Sequence, residues 1–180
     1  MQTDPVSLFE RAAEQAARVV GRVRADQLSS PTPCTDWDVQ ALVDHMFGGT
    51  GYLLGSLGLR LEPTGVDEAT YRAAAQRCVE GLRRPGVLAD RCPSPLGFEW
   101  SLAEAAAGTF MDQLVHTWDL SVAVGLDPRL NPDVAEACVE MFLPHMPEMG
   151  RAGGIVGPAV SVPVGASAQD RLLGAMGRRP

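Results

Sequence analysis

The chain contains no lysine: all 15 basic residues are arginine, set against 22 acidic ones for a net charge of −7. That balance, and the lack of any basic stretch interleaved with aromatics, excludes the electrostatic footprint of a protein that binds nucleic acid or an anionic membrane. Cysteine is scarce, at Cys34, Cys78, Cys92 and Cys138, with no CxxC pair. This excludes a disulfide framework, and the four are expected to be buried or half-buried thiols. No apolar run approaches the roughly 18 residues of a membrane span. The opening MQTDPVSLFERAAEQ has neither the basic nor the apolar region of a secretion signal, so the expected location is the cytoplasm. There is no GxGxxG, P-loop or GxSxG element. Histidine is limited to three residues, His45, His116 and His145.

What the chain does have is helical patterning cut by proline and glycine. A first helix is expected from Pro5 to about Leu28, with Leu8, Ala12, Ala16, Val19 and Val20 on its apolar stripe. The segment SSPTPCTD is a turn, and Thr35-x-x-Asp38 has the form of a capping box for a second helix. That helix carries Val39, Leu42, Val43, His45, Met46 and Phe47 and is expected to loosen in GGTGYLLGSLG. After a break at Glu62-Pro63-Thr64-Gly65, a third helix runs from about Val66 to Arg84. RPGVLADRCPSPLGFEW is too broken for a helix and suits an extended loop or short hairpin. Ser101-x-x-Glu104 opens a fourth helix that Gly125 should close. Asn131-Pro132-Asp133 opens a fifth toward His145, MPEMGRAGGIVGPAVSVPVG is expected to be irregular, and ASAQDRLLGAMG is a short sixth. At 180 residues this reads as one domain, 1–180, all-α, with antiparallel helices in a bundle.

Asp112 and His116 sit four residues apart in FMDQLVHTWDL, and such residues share a helix face. With His45 they would give a divalent cation two imidazoles and a carboxylate, leaving a position for water or substrate. That donor set suits zinc and also accommodates iron, nickel or manganese. Zinc there can lower the pKa of water toward about 7, bind a thiol as thiolate, or polarise a carbonyl. Spacing alone leaves a plain Asp112–His116 ion pair equally open. His145 is expected at a helix C-terminus, facing the helix dipole. Trp37, Trp100 and Trp118 are expected in the core. Asp44 and Asp119 lie near the histidines and are candidates to orient an imidazole. Neighbouring helical positions diverge by roughly 100°, so both are expected to serve other contacts.

On TPCTDWDVQALVDHMFGG and MDQLVHTWDLSVAVGLDP the chain resembles the DinB-like metal-binding four-helix-bundle superfamily. More narrowly it resembles the actinobacterial branch related to the mycothiol-dependent maleylpyruvate isomerase metal-binding domain. The resemblance covers nearly the whole chain and is most specific in D-x-x-x-H-x-W-D-L with the upstream W-D-x-x-x-L-x-x-H. It implies metal ligation by His45, Asp112 and His116, with Asp112 standing where the related isomerase has glutamate. It implies a metal-dependent transferase or isomerase that activates a low-molecular-weight thiol, mycothiol or a similar one, toward a small electrophile. It also implies a homodimer, for which GGTGYLLGSLG is a candidate surface. Two other readings stand beside it: a metal-and-water hydrolase or lyase that uses no thiol, and a non-catalytic, stress-associated small-molecule binder.

Overall fold

The computed structural model describes residues 4–60 and 65–180, and contains seven α-helices and one two-stranded sheet among them. Of the expected break at 62–65, residues 62–64 lie outside the described residues. The chain forms two compact units, Met1–Pro128 and Arg129–Pro180.

In the first unit, α1 spans Pro5–Val20. Asp4 caps it by accepting from the Val6 and Ser7 amides at 3.1 and 3.2 Å, and Pro5 stands where a missing N–H costs nothing. The helix stops at Gly21 rather than reaching Leu28. Two contacts account for this correction. A Cβ on Gly21 would lie 2.3 Å from Glu68 Oε2, so another helix approaches its backbone closely. The Leu28 and Ser30 carbonyls are used to receive the Gln40 and Val39 amides, which would otherwise be orphaned at the start of the next helix.

That helix, α2, spans Val39–Ser56. Its cap is Asp38, which accepts from the Ala41 amide at 2.9 Å, so the expected Thr35 cap falls one turn too early. Between them the chain turns through Asp36 at φ 70°, the one non-glycine residue in the left-handed region among those described. Nor does α2 loosen at its glycines. Met46, Phe47, Thr50, Leu53 and Leu54 continue one buried face through them, and that burial outweighs about 1 kcal/mol lost per helical glycine.

Helix α3 (Glu68–Leu82) begins at Asp67, whose side chain accepts from the Thr70 amide at 2.8 Å. Strands β1 (Arg91–Pro93) and β2 (Glu99–Ser101) form an antiparallel hairpin pairing Cys92 with Trp100, the hairpin alternative of the two expected. The Trp100 indole donates to the Tyr52 hydroxyl at 2.7 Å, which donates to the Pro93 carbonyl at 2.8 Å, tying the hairpin to α2. Helix α4 (Leu102–Val124) follows at once. Both halves of its Ser101/Glu104 capping box form, and it closes on Gly125 at φ 72°.

α4 packs against α1 and α2, and α3 completes the ring against the same two helices, giving a four-helix bundle. Phe9, Leu42, Met46, Leu54, Tyr71, Phe110, Leu114 and Leu120 fill it. The second unit contains α5 (Pro132–Phe142), α6 (Met146–Ala152) and α7 (Ala168–Ala175), with α5 packed on α7. α6 corrects the expectation of irregular chain across MPEMGRA. Pro147 falls in its first turn, where proline is tolerated.

Candidate metal centre

His45 projects from the middle of α2, and Asp112 and His116 from consecutive turns of α4. His45 Nε2 lies 3.3 and 3.2 Å from the two oxygens of Asp112, and His116 Nε2 lies 3.3 Å from Oδ1 of the same carboxylate. The two imidazoles meet edge to face with centroids 4.7 Å apart. One donor atom from each residue falls within 4.8 Å of the others. Donors arranged tetrahedrally at metal-bond lengths of about 2.0–2.1 Å stand about 3.3 Å apart, so these separations suit a shared divalent cation. His116 is nearly buried, while His45 and Asp112 keep 36% and 34% of their side-chain surface, so the cluster opens to solvent on their side. Gly49 borders it: a Cβ there would stand at ordinary contact distance, 3.7 Å, from Asp112 Oδ2.

The charges are interlocked. Crowding by protein pushes the Asp112 carboxyl up, but His116 and then His45 outweigh it and hold Asp112 well below the usual carboxylate range. Burial would lower His116, yet Asp112, Asp119 and Cys34 hold it well above an ordinary histidine. In the metal-free chain the imidazolium therefore fills the cationic role, between Asp112 on one side and Asp119 on the other.

Asp119 was expected to serve other contacts; instead its Oδ2 receives His116 Nδ1 at 2.9 Å. The two are three positions apart on α4 and hence share a face, which corrects the argument from neighbouring positions. Asp44 is exposed and accepts from Gln40 at 2.9 Å, away from the imidazoles. Cys34, treated by sequence as one thiol among four, donates to Asp119 Oδ2 at 3.1 Å and lies 3.7 Å from His116 Nδ1. Nothing in its spacing signals this, because it arrives from the irregular chain before α2. Trp37 is not core: its ring covers both imidazoles, with centroids 4.6 Å from His45 and 5.6 Å from His116. Trp118 is buried as expected, and Trp100 serves the hairpin. His145 lies in the second unit, past the end of α5 at the N-cap of α6, so it does not face the C-terminal dipole of a helix it ends.

A four-helix bundle with two imidazoles and a carboxylate converging from packed helices defines a class: helical proteins with a core-edge site able to hold a divalent cation. Residues 9–91 match the family described as the mycothiol maleylpyruvate isomerase N-terminal domain. Uncharacterized proteins from two strains of Mycobacterium tuberculosis are each 32% identical to this chain over 140 residues, covering 73% of it and 74% of their own length. The chain belongs to the mycothiol maleylpyruvate isomerase N-terminal domain family. The matched span carries Cys34, Trp37 and His45 and ends before α4. No solved structure gives a significant match. No helix among the described residues is long and apolar enough to cross a membrane.

Proposed function

We propose that this protein is a metal-dependent enzyme that activates a low-molecular-weight thiol of the mycothiol type for transfer to, or isomerisation of, a small electrophile. The observation that carries the reading is the meeting of two imidazole Nε2 atoms from different helices on one partly exposed carboxylate. His45, Asp112 and His116 would hold the ion, with zinc the best fit to two borderline nitrogens and one oxygen. When bound, the ion supplies a Lewis acid that stabilises a thiolate at neutral pH. The chain's own residues do the rest. Trp37 walls one side of the imidazoles, and the open side at His45 and Asp112 admits the thiol and its acceptor. The family's description, which names mycothiol and maleylpyruvate isomerase, supports the choice of thiol.

On the same reading, residues 1–180 act as one functional domain, in the cytoplasm and as a homodimer; light scattering on the purified chain tests the last point. The function itself is tested with untagged protein. Metal analysis after zinc reconstitution should give one ion per chain, and with a panel of small electrophiles mycothiol should either be consumed by transfer or, unconsumed, be required for isomerisation of the electrophile. A chelator should abolish turnover, and restored zinc should return it. Substoichiometric metal, or thiol-dependent turnover indifferent to the chelator, would overturn the reading.

A further inference from the structure

The side of His116 facing away from Asp112 is as fully built as the side facing it. Asp119 is fully buried, and a carboxylate withdrawn from water must be matched by donors. Its Oδ2 takes both the His116 Nδ1–H, at 2.9 Å, and the Cys34 thiol, at 3.1 Å. Cys34 is itself fixed: its amide donates to Thr32 Oγ1 at 3.1 Å, and the same hydroxyl donates to the Trp37 carbonyl at 2.9 Å. Asp119 thus anchors two things, the rotation of the His116 ring and the segment that lays Trp37 over it.

A neutral imidazole has one protonated nitrogen and one lone pair. A carboxylate on Nδ1 keeps the proton there and leaves the lone pair on Nε2, the nitrogen that faces Asp112 and His45. We propose that Asp119, steadied by Cys34, is the positioning residue for His116. It selects the Nδ1–H form, aims Nε2 into the cation site and raises the affinity of that site. The proposal rests on His45, Asp112 and His116 being the ion's ligands. The competing arrangement, in which Cys34, Asp119 and His116 Nδ1 themselves grip an ion, also brings three donors within 4.8 Å. Exposure favours the first. Around Asp112 two of the three side chains keep about a third of their surface, 36% for His45 and 34% for Asp112, so that set is open to an entering ion and its further ligand, whereas Asp119 is fully buried.

The test uses the full chain in three measurements. Nitrogen-resolved NMR of the zinc-loaded wild type should show His116 protonated on Nδ1; a proton on Nε2 would overturn the proposal without any variant. Zinc affinity by chelator competition should fall about 10–100-fold in Asp119→Asn, with far-ultraviolet circular dichroism unchanged. An affinity within about threefold of wild type would count against it. Cobalt(II) loaded in place of zinc should show no thiolate-to-metal absorption. Such a band, lost in Cys34→Ser, would establish the competing site instead. His45→Ala separates the two levels. If that variant binds zinc as the wild type does, the ligand assignment fails. If it loses zinc while Asp119→Asn keeps it, only the positioning role fails.

Discussion

If His116 is a ligand as proposed, protons and a cation compete for it, and the competition has a calculable size. In the metal-free chain Asp112 and Asp119 hold this imidazole protonated well above the ordinary histidine range, against the opposing effect of burial. Its Nε2 proton points at Asp112 Oδ1, 3.3 Å away, where an ion would need the lone pair. On the proposed ligand set zinc must therefore displace one proton from His116, while the proton on Nδ1 stays there, donated to Asp119. Each displaced proton changes affinity tenfold per pH unit, or about 1.4 kcal/mol. The dissociation constant for zinc should therefore tighten about tenfold between about pH 6 and about pH 7. The sign for the metal-free chain is opposite. A group whose pKa is raised on folding contributes stability that is complete below its unfolded value of about 6.5. That contribution is lost as pH rises through the folded value. The melting temperatures with and without zinc should thus diverge with rising pH, by roughly 3–6 °C per unit at fixed zinc. Chelator competition at several pH values gives the affinity, and calorimetry in buffers of different ionisation enthalpy counts the protons. A zinc affinity flat across that range, with no proton released, would refute the reasoning.

Removing the shared carboxylate is a second test. Asp112→Asn should lose zinc binding while circular dichroism stays helical, and the metal-free variant should be destabilised by about 1–3 kcal/mol in urea melts because His116 loses a charged partner. Thiol accessibility gives a third. Cys78, Cys92 and Cys138 are buried, with burial pushing the Cys78 thiol up to about 12, so a bulky thiol reagent should label Cys34 first and all four only after unfolding. Simultaneous labelling of several thiols in the native protein would contradict the packing. Gly48 lies exposed inside α2 with nothing near its missing Cβ, so Gly48→Ala should raise stability by about 1 kcal/mol. Leu114→Ala, emptying a fully buried position on α4, should cost about 2–5 kcal/mol in the same melts.

Local chemistry explains which parts of this architecture are legible in the sequence. α4 is readable at both ends because Ser101, Glu104 and Gly125 act on their own neighbours. The end of α1 is not, because it depends on Glu68 and on the amides of Val39 and Gln40, all distant in sequence. α6 hides behind Pro147, harmless in a first turn, and Gly150, whose missing Cβ makes room for Val156. The same division runs through the candidate site. Asp112 and His116 share a face by spacing alone, and Asp119 follows by the same rule once it is measured from His116 rather than from the nearest neighbour. The arrival of His45 opposite them is a matter of helix packing, signalled only by the resemblance of the two motifs. Cys34 and Trp37 are placed by a turn through a positive-φ aspartate, and no periodicity reports that.

His45 and Asp112 are 67 positions apart, and that separation affects when in the protein's life an ion can matter. Before the bundle forms, only Asp112 and His116 lie near one another, on a helix that is marginal by itself. The complete donor set comes into being when α2 and α4 dock. A cation held by the proposed ligands would then distinguish finished molecules from unfinished ones, adding its binding energy only to the former. Metal supply would in that case govern the lifetime of the protein as well as its chemistry. Copies made during metal scarcity would carry the same sequence but open more often to proteases, and turnover would clear them first.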